Sequence, residues 1–204
     1  MTIDGTHQRQ RNPRGHGDRL RSDIIAAASQ LLADPAAPPL TLRGVARAAG
    51  VAATSVYLHF ADTDELVLAV ASQHFGALVA AQQAAHDAAA TPREAVYAMA
   101  LAYCEFGLAN PGLYQVMLTS PLPATDPKLI PGRASFEQRT AAIAEALGTS
   151  GDPHDPAAAA FRASTLLWQL LHGAINLRIS RPMFPWPPLE ETVSTAVQLI
   201  LRNP

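Results

Sequence analysis

The stretch LTLRGVARAAGVAATSVYLHFADTDEL, residues 40–66, decides how the chain is read. Thr41 is placed to cap a short helix over Leu42–Ala49, with Val45, Ala48 and Ala49 on one face. Gly50 stops that helix, Val51 begins a tight turn, and a second short helix runs over residues 53–60. Two helices of about two turns joined through a glycine turn make a helix-turn-helix candidate. Gly50 permits the positive φ that aims the second helix away from the first. Val45, Ala49, Val51, Val56 and Phe60 are expected to pack these helices together. Arg43, Thr54, Ser55, Tyr57 and His59 hold the faces left over.

Outward from this stretch the chain is helical. Upstream, Leu20, Ile24, Ala27, Ala28 and Leu31 recur at helical spacing from Asp18 onward, and Asp34-Pro35 with Pro38-Pro39 ends that helix. Residues 1–17 show no periodicity and read as a flexible basic arm carrying Arg9, Arg11 and Arg14. Downstream, helices are expected over residues 64–89, 92–109, 111–118, 133–147, 156–180 and 189–202. Prolines 121, 123, 127 and 131 separate two of them, and RPMFPWPP breaks the pattern before the last. No strand-like alternation is sustained, so the fold class is all-α with about nine helices. Three parts follow: an arm (1–17), a three-helix unit with the helix-turn-helix (18–63), and a larger helical body (64–204).

Composition agrees. In 204 residues there are 40 alanines and 12 aromatics, which suits helices packed on methyl groups. Cys104 is the single cysteine and excludes a disulfide framework. The net charge of −2 divides unevenly: residues 1–60 balance at +3 and residues 61–204 at −5. A basic end beside an acidic remainder points to nucleic acid as the partner of that end. Residues 66–86 are uncharged but include Ser72, Gln73, His74, Gln82, Gln83 and His86, so a helix in water is expected rather than a membrane span. With no apolar leader at the N-terminus, the expectation is a cytoplasmic protein with Cys104 reduced.

Thr41, Val45-Ala46, Ala49-Gly50-Val51, Tyr57, His59-Phe60 and Asp64-Glu65-Leu66, after Ile25-Ala26-Ala27, resemble the DNA-binding signature of the TetR family of bacterial transcriptional regulators. The resemblance implies an N-terminal DNA-binding unit followed by a ligand-binding and dimerisation body. It implies DNA contacts at Thr41, Arg43, Ala53, Thr54, Ser55, Tyr57, His59 and Thr63, with Tyr57 and His59 on phosphates. Two positions depart from the family's pattern. Ala52-Ala53 replaces a Ser cap and a polar residue, a loss of about 1 kcal/mol of capping, although the methyls suit contact with a thymine methyl. Thr63 stands where a Lys is usual, so a phosphate contact there is neutral. Arg19 and Arg21, with the arm's arginines, supply cations nearby.

A second resemblance rests on residues 103–117, YCEFGLANPGLYQVM, and residues 168–173, WQLLHG. These are similar to the TetR subgroup whose regulatory domain is named for a Trp, His, Gly signature. Val96, Met99, Ala100, Tyr103 and Phe106 share one helical face, and Phe161, Trp168, His172 and Ile175 share another. An apolar cavity is expected where those faces meet, lined by Met99, Tyr103, Phe106, Tyr114, Met117, Trp168 and His172, for an unidentified small, largely apolar effector. The apolar faces bearing Leu170, Ile175, Val193, Val197, Ile200 and Leu201 are expected at a homodimer interface. Such a dimer would set two recognition helices on a near-palindromic double-stranded operator.

Catalytic patterns are poor: there is no phosphate-binding glycine loop and no nucleophile elbow, and Cys104 has no neighbouring His. No enzyme activity, cofactor or metal is expected. Asp152, His154 and Asp155 form a loop cluster read as solvated rather than metal-binding. The opposed reading is an all-helical enzyme or small-molecule carrier with a degenerate helix-turn-helix.

Overall fold

The computed structural model describes residues 16–34, 37–119, 130, 132–148 and 155–202. Among them the helices are α1 (His16–Ala33), α2 (Leu42–Ala49), α3 (Ala53–Tyr57), α4 (Thr63–Asp87), α5 (Pro92–Ala109), α6 (Pro111–Thr119), α7 (Arg133–Leu147), α8 (Pro156–Ser180) and α9 (Leu189–Arg202), with no strand. The bounds read from sequence hold where a punctuating residue marks them. Thr41 caps α2 by accepting from the Gly44 amide at 3.0 Å. Gly50 closes it at φ 67°, and the Val51 amide bonds back to the Ala46 carbonyl at 3.0 Å.

Two bounds differ. α3 ends at Tyr57, because the amides of His59 and Phe60 both bond to the Val56 carbonyl, at 2.9 and 3.0 Å. That turn drives the Phe60 ring into the core. α4 starts at Thr63 rather than Asp64, because Asp62 is its cap. Asp62 accepts from the Glu65 amide at 2.8 Å, and the Glu65 carboxylate accepts from the Ala61 amide at 2.7 Å.

Two apolar cores organise the chain. The head core gathers Ile24 and Ala28 of α1, Val45 of α2, Val56 of α3 and Phe60, and it draws in Leu66 and Val70 of α4 and Leu113 of α6. It therefore extends past residue 63. The body core joins α4 through Phe75 and Leu78 to α5, α6, α7, α8 and α9. Within the body α4 packs along α5, and α7, α8 and α9 close around α5.

α6 belongs to both cores. Leu113 is buried in the head, while Tyr114 and Met117 are buried in the body. Gly112 permits this: a Cβ there would stand 2.5 Å from the Leu32 carbonyl oxygen and 3.1 Å from the Ala33 Cα. α6 thus lies directly on the C-terminal backbone of α1, which cannot yield as a side-chain tip can. Gly112→Ala is expected to lower stability by about 1–3 kcal/mol in urea unfolding. Gly76→Ala, in open space on α4, is expected to be neutral or stabilising; an equal loss from both would contradict the close approach.

Candidate functional site

The head presents α3 to solvent. Val56 is its anchor, with no exposure, and this turns Thr54 and Tyr57 outward, Tyr57 with half its surface exposed. Arg43 and Thr41 are exposed on α2, while Ala53, Ser55, His59 and Thr63 are half-buried. Leu58 follows α3 at 85% exposure, an apolar side chain outside the head's core that the sequence reading gave no role. Arg19 and Arg21 are exposed on α1, and the Arg21 guanidinium lies 5.0 Å from the centroid of the Phe60 ring, so its charge is held against the head. Arg9, Arg11 and Arg14 lie outside the described residues. Ala52 caps α3 with no side-chain bond, as its sequence implies.

The body holds a cavity of about 260 Å³. Its walls come from Phe75 of α4, Tyr103 of α5, Leu118 of α6 and Trp168 of α8, with Ile130 and Gly132 before α7. Arg133, Ser135, Phe136 and Arg139 of α7 complete them. The expected place, where α5 meets α8, opens only at Tyr103 and Trp168 and is closed at the level of Gly107. A Cβ on Gly107 of α5 would stand 3.0 Å from both the Ile175 Cδ1 of α8 and the Tyr114 ring of α6, so the three helices are in contact at that level. Of the residues expected to line a cavity, Tyr103 and Trp168 do. Met99 and Met117 are buried core, and Phe106 packs against that core; none of the three borders the cavity. Tyr114 stands one hydrogen bond behind it and His172 two. Cys104 is buried core, and burial pushes its thiol up to about 12, so it is protonated.

Sequence reasoning placed α7 over residues 133–147 but missed its part in the cavity wall. On that helix Ser135, Arg139, Ala142, Ile143 and Leu147 are buried at helical spacing, so an arginine occupies an apolar stripe. That misplaced cation was the available signal.

A hydrogen-bond chain backs the cavity. The Asn176 side-chain amide nitrogen lies 3.2 Å from the His172 carbonyl oxygen and 2.8 Å from His172 Nε2, so it donates to both. Nε2 is then the acceptor, and Nδ1 carries the proton it donates to the Tyr114 hydroxyl at 2.8 Å. The Tyr114 and Tyr103 hydroxyls lie 3.1 Å apart, and beside the larger effect of burial their bond raises the Tyr114 value while lowering that of Tyr103, as it does with Tyr114 donating; Tyr103 also accepts from Trp168 Nε1 at 3.1 Å. Burial pushes both phenols above their ordinary range, so they stay neutral donors. Burial lowers the His172 value, which keeps the imidazole neutral as the chain requires.

The dimer-facing residues need correction. Ile175, Val193, Val197, Ile200 and Leu201 are buried in the subunit's own core, because α9 closes over α5 and α8. Of the residues expected at an interface only Leu170 is exposed, and on α8 it stands between Leu166 and Leu177, which are exposed as well.

Among the described residues no cluster of His, Cys, Asp and Glu is placed to hold a metal. Asp155 caps α8 by accepting from the Ala158 amide at 3.0 Å; Asp152 and His154 lie outside the described residues. No described helix is long and apolar enough to cross a membrane.

A helix-turn-helix head on a helical body that holds a cavity defines a class of one-component DNA-binding regulator. A family model for bacterial regulatory proteins of the tetR family matches residues 24–70, and one for the tetracyclin repressor-like C-terminal domain matches residues 96–200. The chain belongs to the TetR family and is a DNA-binding transcriptional regulator. Its fold is shared with a protein of unknown function from Rhodococcus sp. RHA1, 28% identical, at a TM-score of 0.76 over 94% of this chain and 98% of that one. It is shared with FadR from Bacillus subtilis in complex with stearoyl-CoA, 14% identical, at 0.69 over 88% and 97%. RolR in complex with resorcinol, 16% identical, superposes at 0.62 over 91% and 87%. The family is one of transcription regulators, which are not enzymes, and FadR from Bacillus subtilis is itself described as a transcriptional regulator.

Because the folded value of His172 lies below 6.5, the folded state resists protonating it. Its contribution is fully present above 6.5 and is lost as pH falls through the lower folded value. His74 adds to the trend: it is also lowered by burial, and its Nε2 sits 3.2 Å from Ser29 Oγ of α1. The urea midpoint is expected to drop between about pH 7.5 and about pH 5.5, and to drop less in His172→Gln. Identical drops would contradict the assigned protonation.

Proposed function

We propose that the protein is a homodimeric repressor that leaves a near-palindromic operator when a small, largely apolar molecule fills the body cavity. The observation that carries this reading is the bond between Tyr103, in the cavity wall, and Tyr114, next in sequence to the head-core residue Leu113. A molecule pressing on Tyr103 and Leu118 acts on the helix that the head's core depends on. α4 offers a second route, from Phe75 in the cavity wall to Leu66 and Val70 in the head. Two of the three named neighbours, FadR and RolR, were solved with a bound small molecule, which supports a ligand here. At about 260 Å³ the cavity suits a ring-sized molecule; an engineered cavity of about 150 Å³ holds benzene.

We also assign the chain to the subgroup with the Trp, His, Gly signature. Trp168 and His172 both bond into the chain around Tyr103, which supports that assignment. For the second copy, Leu166, Leu170, Gly173 and Leu177 form one stripe on α8. A Cβ on Gly173 would meet nothing within 4 Å of its own chain, which leaves room for a helix from the partner. With DNA as partner, the place of action is the cytoplasm.

DNA from upstream of the protein's own gene is the test. Salt-sensitive, sequence-specific binding is expected, and no specific binding at low salt would contradict the repressor reading and favour a carrier. Tyr57→Ala is expected to weaken all sequences alike, and Arg43→Ala to lower the salt slope by about 1. Thr54→Ala and Ser55→Ala are expected to change the preferred site. Leu170→Glu is expected to yield monomers in sedimentation, where a dimer that survives it would contradict the α8 stripe.

A further inference from the structure

The cavity's electrostatics are one-sided. Arg139 is 1% exposed, and its Nε has no hydrogen-bond partner. Among the described residues no carboxylate pairs with it, and no Asp or Glu lines the cavity. Its guanidinium carbon lies 5.2 Å from the centroid of the Phe136 ring and 5.9 Å from that of Tyr103. Ring faces are therefore the local compensation for a buried cation. Burial lowers its value to about 10, well above neutrality, so the charge persists. A lone buried charge is destabilising, and the usual remedy is an anion with hydrogen-bond acceptors.

The second open group is also a donor. Tyr103 accepts from Trp168 and Tyr114, so its own proton is not used in the chain behind the cavity. Ser135, by contrast, donates to Gln82 Oε1 at 2.5 Å, and Arg133 at the mouth is paired with Glu137 at 2.6 Å. Two uncommitted donors, one of them cationic, stand among Phe75, Phe136, Leu118 and Trp168.

We infer that the cavity takes a small carboxylate with an aromatic or compact aliphatic body, its carboxylate on the Arg139 guanidinium and the Tyr103 hydroxyl and its body among the rings. The planar fork of an arginine matches two carboxylate oxygens, which a neutral amide or alcohol cannot supply. This inference rests on the effector reading above and narrows it from an apolar molecule to an apolar acid.

Isothermal titration of the full chain with benzoate, phenylacetate and hexanoate, each beside its neutral amide, tests it. The acids are expected to bind at least about tenfold more tightly than their amides. Arg139→Gln is expected to abolish that preference while leaving amide binding in place, and Arg139→Lys to retain part of it. Because Arg139→Gln removes a buried charge that no carboxylate among the described residues pairs with, its urea midpoint is expected not to fall, which separates a binding residue from a structural one. Amides binding as tightly as acids, an acid preference that survives Arg139→Gln, or no saturable binding of any acid would each overturn the inference. Amides that bind and release DNA while acids do not would overturn it and leave the effector reading standing. Acids that bind through Arg139 without changing DNA occupancy would support it and overturn the effector reading.

Discussion

The arrangement depends on α6 having to satisfy two cores at once. Gly112 rests on the backbone of α1, Leu113 fills the head, and Tyr114 fills the body. Interiors are close-packed, so a shift of this helix that suits one core opens or crowds the other. α4 carries the same double duty over a longer span, with Leu66 and Val70 in the head and Phe75 and Leu78 in the body. The head is therefore not a bead on a string. Its recognition helix is held on a scaffold whose parts also wall the cavity, and that shared scaffold is what can make a binding event in the body matter to DNA.

Charge is distributed to match. The head carries exposed arginines at 19, 21 and 43, while the chain as a whole is at −2. The body's notable cation is inside. Arg139 lies where an aliphatic residue would pack at lower electrostatic cost, and its neighbours Tyr103 and Phe136 offer ring faces rather than a counter-ion. Stability given up at such a position is characteristic of a group kept for a ligand.

Much of the fold was legible because its boundaries are chemically marked. Thr41 and Gly50 bracket α2, and Pro92, Pro111 and Pro156 open α5, α6 and α8. The residues read as head packing, Val45, Val56 and Phe60, are buried there. Legibility failed where periodicity had to name a neighbour. The apolar face of α9 was evident, but periodicity does not say whether α5 and α8 of the same chain or a second copy covers it, and its own chain does. The cavity was sought along the aromatic stripes of α5 and α8, yet those helices touch at Gly107 and Ile175, and of the stripes only Tyr103 and Trp168 reach the cavity. The gap lies instead against α7, marked in sequence only by an arginine on an apolar face.

The measurement that bears most directly on a head and body sharing α6 is reciprocal linkage. The affinity of a cavity ligand such as phenylacetate is measured for the free protein and for the protein saturated with its specific DNA. If the shared helices couple the sites, DNA weakens the ligand by the same factor by which the ligand weakens DNA. Equal ligand affinity with and without DNA, for a ligand shown to sit against Tyr103, would contradict the coupling.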